Sequence, residues 1–287
     1  MEFKSFYKAA GGGEGGRCKY PVRLDTYGKG CAHNCAYCYA RSLLAFRGLW
    51  NPKAPAVADI HKIRATIFNK CRKGDIVRLG GMTDCFQPIE KDCRVTYKTI
   101  DALNRRGVGY LIVTKSDLVA APEYLAIMDK RLAHIQVSIT STDAKISKDI
   151  EPGASLPSER IRAAEKLQKE GFDVAVRLSL FVPQFVDLDV INRIECDKFQ
   201  VEFLRVNTWI EKWLAGCGWT TDEYILKEGG YRHLPLEKKI EYLGALDGHT
   251  ISVCEDVDAH FQYWKEHVNP NPEDCCNLSR FPVGPSY

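Results

Sequence analysis

At 287 residues, 45% of them hydrophobic, the chain is long enough for one large domain, or one domain with a short appendage, around a sizeable core. Forty Lys and Arg against 37 Asp and Glu leave a net charge of only +3, which excludes a protein that coats nucleic acid by charge alone but permits an anionic partner. No apolar run is long enough to cross a bilayer and no secretory leader is evident, so the twelve cysteines are expected in a reducing cytoplasm, where metal-bound or catalytic thiols are commoner than disulfides.

Residues 1–22 read as a flexible amino-terminal arm, because Gly11-Gly-Gly-Glu-Gly-Gly16 carries a large backbone entropy. A phosphate-cradling loop would need a strand before it and a Gly-Lys-Ser/Thr end, and neither is present. A strand at 23–27 leads into Gly30-Cys31-Ala-His-Asn-Cys35-Ala-Tyr-Cys38, and a helix at 39–46 follows. Three thiolates on one short loop can hold three irons of a [4Fe-4S] cluster and leave the fourth iron open to a small molecule. A Cys3His zinc site that recruits His33 is the alternative, but zinc cysteines usually come as two separated pairs.

Strands alternate with helices from there on. Strands are expected at 75–79, 110–114, 134–141, 173–181 and 198–203, with helices at 95–106, 122–132 and 158–170. The run at 110–114 is almost continuously apolar, as in a strand buried on both faces of a parallel sheet. Six such units predict a partial (β/α)6 parallel barrel over residues 23–207, with chemistry at the carboxyl ends of the strands. Polar residues collect there: Gly80 to Cys85 after the second strand, Thr114 to Asp117 after the third, Ser138, Thr140 and Ser141 on and after the fourth, and Arg177 and Ser179 on the fifth. Residues 208–287 read as a carboxy-terminal helical cap holding one more strand at 249–254. Trp209, Trp213 and Trp219 are expected there as core filler more than as a base-stacking platform.

These segments resemble the radical S-adenosylmethionine (SAM) superfamily, and within it the spore photoproduct lyase branch. The resemblance rests on Tyr27-Gly-Lys-Gly-Cys31 with Cys35-Ala-Tyr-Cys38-Tyr-Ala-Arg41, Gly81-Met-Thr-Asp84 with Gln87-Pro88 and Glu90, Thr114-Lys-Ser116, Val137-Ser-Ile-Thr140, and Glu151-Pro152 with Arg160. It implies a [4Fe-4S] cluster on Cys31, Cys35 and Cys38 and bound SAM, with Tyr37 at the adenine. Gly80, Gly81, Thr83 and Lys115 would hold the methionine end, Ser138 and Thr140 the ribose, and Arg177 is counted with these cofactor-facing residues. Cleavage of SAM to a 5'-deoxyadenosyl radical, hydrogen abstraction from a thymine-derived base in DNA, and a reductant such as flavodoxin or ferredoxin are implied as well. A peptide or small-metabolite substrate, or a non-catalytic metal-cluster protein that binds nucleic acid, stands as the alternative.

Cys85 stands near, but not at, the position of the hydrogen-donating cysteine of the lyases, so it is either a hydrogen-atom donor or a small buried hydrophobe. Cys254, Cys275 and Cys276, with Cys217 as a further candidate neighbour, either bind a second cluster or a zinc ion or are plain buried thiols, the reading favoured because their spacing fits no ligand pattern. Arg41, Arg47, Lys53, Arg205, Lys212 and Arg232 are candidates to follow a phosphate backbone.

Overall fold

The computed structural model describes residues 3–9 and 17–279. The glycine run at 11–16 lies outside the described residues. In chain order the strands are β1 (Phe6–Lys8), β2 (Val22–Leu24), β3 (Tyr27–Gly28), β4 (Ala56–Val57), β5 (Ile76–Leu79), β6 (Gly109–Thr114), β7 (Ala133–Ser138), β8 (Asp173–Phe181), β9 (Lys198–Phe203), β10 (Leu226–Glu228), β11 (Tyr231–His233) and β12 (Thr250–Cys254). Eight of them make one sheet in the order β1-β2-β5-β6-β7-β8-β9-β12. From β2 to β12 every pairing in that sheet is parallel, and only β1 joins antiparallel, against β2. This is the partial-barrel architecture expected, with two departures. Phe6–Lys8 is paired sheet and not free arm, and β12 extends the barrel sheet beyond residue 207 instead of standing within a separate cap.

The helices are α1 (Tyr39–Ala45), α2 (Ile60–Lys70), α3 (Glu90–Cys93), α4 (Val95–Arg106), α5 (Pro122–Ile127), α6 (Ala144–Ile150), α7 (Pro157–Lys169), α8 (Leu188–Asn192), α9 (Thr208–Gly216), α10 (Leu236–Leu243) and α11 (Asp258–His267). Short polar side chains start several of them, as their free backbone N–H groups require: Asp59 caps α2, Asp143 caps α6 and Asn207 caps α9. Helix α5 stops at Ile127, five residues before the expected end, because Met128 is extended and the backbone N–H groups of Leu132 and Ala133 turn back to the Asp129 carbonyl.

Strand parity separates two chemistries. Ile135, Val137, Val176, Leu178, Phe199 and Val201 belong to the main apolar core. The alternate residues Gln136, Ser138, Arg177, Ser179, Gln200 and Glu202 share the inner face, where Arg177 Nη1 donates to Gln136 Oε1 at 2.8 Å and to Gln200 Oε1. A second, smaller core on the inner face joins Tyr20, Ile76, Leu111, Cys276 and Leu278. The segment after α11 therefore runs into the barrel. Tyr20 OH donates to Asp274 at 2.7 Å, Gln200 Nε2 to the Cys275 carbonyl at 2.8 Å and Lys198 Nζ to the Asn277 carbonyl at 3.0 Å.

Candidate active site

Residues 29–38 form the loop between β3 and α1. The Cys31 carbonyl accepts from the Asn34 N–H at 3.1 Å, with Asn34 at φ 48°, and the Cys35 carbonyl accepts from the Cys38 N–H at 3.3 Å. Cys38 starts α1, its Sγ accepting from the Arg41 N–H at 3.4 Å. Neighbouring elements fix the loop from outside. Gln87 Oε1 accepts from the Ala32 N–H at 2.9 Å, the Ile150 carbonyl from the Ala36 N–H at 2.8 Å, and the His33 carbonyl from the Gly153 N–H at 3.2 Å.

Cys31, Cys35 and Cys38 all face one cleft of about 850 Å³ at the carboxyl ends of β5 to β9. Burial pushes all three thiols up, Cys31 to about 12, while the Lys115 charge pulls Cys35 and Cys38 the other way. Among the described residues, no three His, Cys, Asp or Glu side chains converge on a single ion-sized point, these three thiols included. Three thiols spread along one wall, with a lysine facing them, are a donor set suited to the corners of an iron-sulfur cluster.

Opposite the cysteines lies the loop after β5. Gly80, Gly81, Thr83 and Asp84 line the cleft, with Gly80 at φ 82°. Gly81 has a reason of its own for lacking a side chain, since a Cβ there would stand 2.2 Å from the Tyr7 hydroxyl. Its N–H donates to Asp25 Oδ1 at 2.6 Å and its carbonyl accepts from Tyr39 OH at 2.9 Å. Thr83 Oγ1 donates to the Tyr27 carbonyl at 2.6 Å.

Asp84 is the hub that ties three segments together. It accepts from the Thr114 hydroxyl at 2.8 Å, from the Lys115 N–H at 2.7 Å and from its own loop's Phe86 N–H at 2.8 Å, and His33 Nδ1 stands 3.3 Å away. Burial pushes its carboxyl up, yet the His33 ring and the N–H donors outweigh burial and hold it below the ordinary carboxylate range. That clamp places Lys115 in the cleft, its Nζ 5.6 Å from the Tyr37 ring centre.

Tyr37 OH donates to Glu151 and shares a 3.1 Å hydrogen bond with Thr140 Oγ1. Glu151 forms a fully buried ion pair with Arg160 at 2.7 Å, and Arg160 Nη1 also donates to the Ser138 carbonyl at 2.9 Å. The Ser138 hydroxyl itself lines the cleft, buried and without a hydrogen-bond partner. A polar atom in that condition is what a bound ligand would satisfy.

Of the expected site residues, Tyr37, Gly80, Gly81, Thr83, Lys115, Ser138 and Arg177 thus share the cleft wall with the three cysteines. Two do not. Thr140 stands behind Tyr37 and donates to the Ser179 carbonyl at 2.8 Å. Cys85 is buried in the main apolar core, and burial pushes its thiol well up.

His33, weighed from the sequence only as a zinc ligand, also lines the cleft, as do Tyr39, Arg78 and Glu202, to which sequence reading gave no role. For Glu202 the signal was available: it alternates with Gln200 on β9, opposite Ser179 on β8. Arg177 Nη2 donates to Glu202 at 2.5 Å. Arg41 stacks 4.0 Å over Trp213, Arg205 lies 4.8 Å over the ring of the cleft residue Tyr39 and pairs with Asp256, and Arg232 pairs with Glu211 at 2.6 Å. Trp219 packs on Phe185 at 4.1 Å, as core filler should, while Trp209 is 47% exposed beside Trp213.

The chain is 31% identical over 168 residues to an uncharacterized protein of Methanocaldococcus jannaschii, covering 56% of this chain and 61% of that one. It is 25% identical over 177 residues to an uncharacterized protein of Mycobacterium tuberculosis, covering 58% and 52%. The chain therefore spans between half and two thirds of the length of these curated relatives.

Among solved structures, spore photoproduct lyase complexed with dinucleoside spore photoproduct superposes with a TM-score of 0.58 at 16% identity, over 88% of this chain and 75% of that one. A mutant of that lyase with bound AdoMet and the same dinucleoside gives 0.59 at 17%, over 88% and 76%. Streptococcus suis SuiB bound to S-adenosylmethionine gives 0.52 at 13%, over 86% and 53%. At such identities the likeness is one of fold. The sequence pattern of the Radical SAM superfamily matches residues 26–194, a stretch that includes the cysteine loop and β5 to β8. With more than half of its length matched, the chain belongs to the radical SAM superfamily, whose members use a [4Fe-4S] cluster and S-adenosylmethionine.

Proposed function

We propose that this enzyme cleaves S-adenosylmethionine reductively and takes a hydrogen atom from a thymine-derived base in DNA. It would then act as a lyase that repairs a thymine adduct or as an isomerase that rearranges a modified base. The observation that carries the reading is the cleft itself, which brings Cys31, Cys35 and Cys38 together with Lys115 and the partnerless Ser138 hydroxyl. The cluster and the sulfonium cofactor, when bound, supply one-electron cleavage of a carbon-sulfur bond and a radical able to abstract hydrogen.

The chain's own residues bind and orient. Cys31, Cys35 and Cys38 hold the cluster. Lys115 offers a point charge to the methionine carboxylate, and the Gly80–Gly81 backbone and Thr83 flank it. Ser138 offers its hydroxyl to the ribose, with Thr140 acting through Tyr37. Tyr37 lies against the adenine, held in place by Glu151. Arg177, locked by Glu202 and Gln200, would face the cofactor from the cleft wall.

The substrate class is supported by the fold neighbour complexed with a dinucleoside spore photoproduct. It is also supported by the exposed Trp209 beside the Arg41–Trp213 stack, because a base taken out of its stack needs an aromatic face near the pocket. The ion pairs Arg205–Asp256 and Arg232–Glu211 favour a second reading, a peptide or small metabolite, because they neutralise two of the arginines that were candidates to follow a phosphate backbone.

Anaerobic reconstitution, reduction and assay for 5'-deoxyadenosine tests the chemistry. No 5'-deoxyadenosine from a fully loaded cluster would overturn the enzyme reading. Retention on thymine-rich DNA as salt is raised separates the substrates: phosphate contacts give a steep salt slope, and a metabolite enzyme gives none.

A further inference from the structure

Beneath the cleft, four thiols from distant parts of the chain meet on the inner face of the sheet. Cys254 ends β12, opposite Glu202 on β9. Ser252, two residues before Cys254, pairs in register with Gln200, whose Nε2 donates to the Cys275 carbonyl at 2.8 Å. Cys18 and Cys276 share the small core with Tyr20 and Leu111.

The surroundings suit thiolate sulfur. Arg23 Nη2 lies 3.8 Å from Cys18 Sγ, and Gln200 Nε2 lies 3.6 Å from Cys276 Sγ. The same Gln200 side chain accepts at its Oε1 from Arg177 Nη1. Plain apolar packing has no use for N–H donors turned on sulfur, whereas a thiolate-bound cluster is anionic and is tuned by N–H donors to its sulfurs.

The tail that supplies two of the thiols is fixed on both sides of them. Asp274 accepts from Tyr20 OH at 2.7 Å, from the Cys276 N–H at 3.0 Å and from the Leu278 N–H at 3.1 Å. Among the described residues these sulfurs do not converge on one ion-sized point, which is equally true of Cys31, Cys35 and Cys38.

We propose that Cys18, Cys254, Cys275 and Cys276 bind a second iron-sulfur cluster, set in the floor of the reaction cleft. Binding replaces four S–H bonds by four iron-thiolate bonds and releases four protons to solvent. Glu202, opposite Cys254, lines the cleft, and Gln200 joins the cleft residue Arg177 to Cys276, so the four thiols border the cleft along its inner face.

The test removes the first cluster and looks for the second. A Cys31→Ala/Cys35→Ala/Cys38→Ala variant, reconstituted without oxygen, should keep about two to four iron and matching sulfide per chain, as for one all-cysteine cluster. It should also keep a reducible paramagnetic signal. Adding Cys18→Ala and Cys276→Ala should abolish both. A triple variant with no iron or sulfide, or with zinc alone, overturns the proposal. In case the triple variant does not fold, Cys18→Ser/Cys276→Ser in an otherwise intact chain should lose about half of the reconstituted iron, and undiminished iron would equally overturn it. Neither readout depends on SAM cleavage or on the substrate, so the outcome is independent of the function proposed above.

Discussion

Gly153 lies against Ala32 so closely that a Cβ on the glycine would stand 1.9 Å from the Ala32 carbonyl oxygen. The contact joins the segment after α6 to the middle of the cysteine loop, and both partners are backbone, so neither can swing away. Gly153→Ala should therefore push the loop from its seat. The expected outcome is a loss of about 1–3 kcal/mol in urea unfolding, as for overpacking elsewhere, together with reduced iron after reconstitution. Unchanged iron retention would show that the loop does not depend on this buttress.

Glu151→Gln should be more costly. It leaves the Arg160 guanidinium buried without its counter-charge, a change worth about 3–5 kcal/mol. The pH dependence follows from the direction of the Glu151 shift. Burial pushes its carboxyl up, but Arg160, Lys115 and Tyr37 together outweigh burial and hold it below the usual range. A depressed folded value means that the carboxylate stabilises the fold fully above about pH 4.3, the unfolded value, and that this stability is lost as pH falls toward the lower folded value. Unfolding free energy measured between pH 7 and 3 should fall less steeply in Glu151→Gln than in the parent chain.

Ser138→Ala should separate binding from stability. Because the hydroxyl is buried and partnerless, removing it should leave thermal stability unchanged or slightly raised. If SAM supplies the missing partner, affinity for it should fall by about 0.5–1.5 kcal/mol, or about two- to tenfold, in equilibrium dialysis. A drop in stability with unchanged affinity would remove Ser138 from the cofactor site.

Cys85→Ala distinguishes the two readings of that thiol. The side chain is in the core and does not line the cleft, so the substitution should cost about 1 kcal/mol of stability. Product formation should change less than about twofold, whereas a hydrogen donor would lose most of its product and accumulate radical by-products.

Much of the barrel was legible because its signals are local. The apolar run at 110–114 became β6, and the strands read at 173–181 and 198–203 stand as β8 and β9. Clustered polar residues after each strand pointed to the correct end of the sheet. Helix α2 was missed because Ile63 and Ile67 are the only buried apolar residues in its eleven, too thin a stripe to read. β12 was legible as a strand, but not as the next member of the main sheet, since pairing with β9 depends on a neighbour about fifty residues away. Cys18 could not be linked to the tail thiols for the same reason. Nothing in its surroundings at 17–20 indicates that residues 254–276 will fold back upon it.

The underside of the sheet is built from two segments that lie far apart along the chain. Tyr20 and Asp274 are separated by 254 positions along the chain, yet they are joined by one buried hydrogen bond. Contacts of such long range form late, after nearer pairings have paid for the loop they close. Cutting the Tyr20–Asp274 bond would therefore release the segment after α11 from the residues before β2 while leaving the pairings of β5 to β9 untouched.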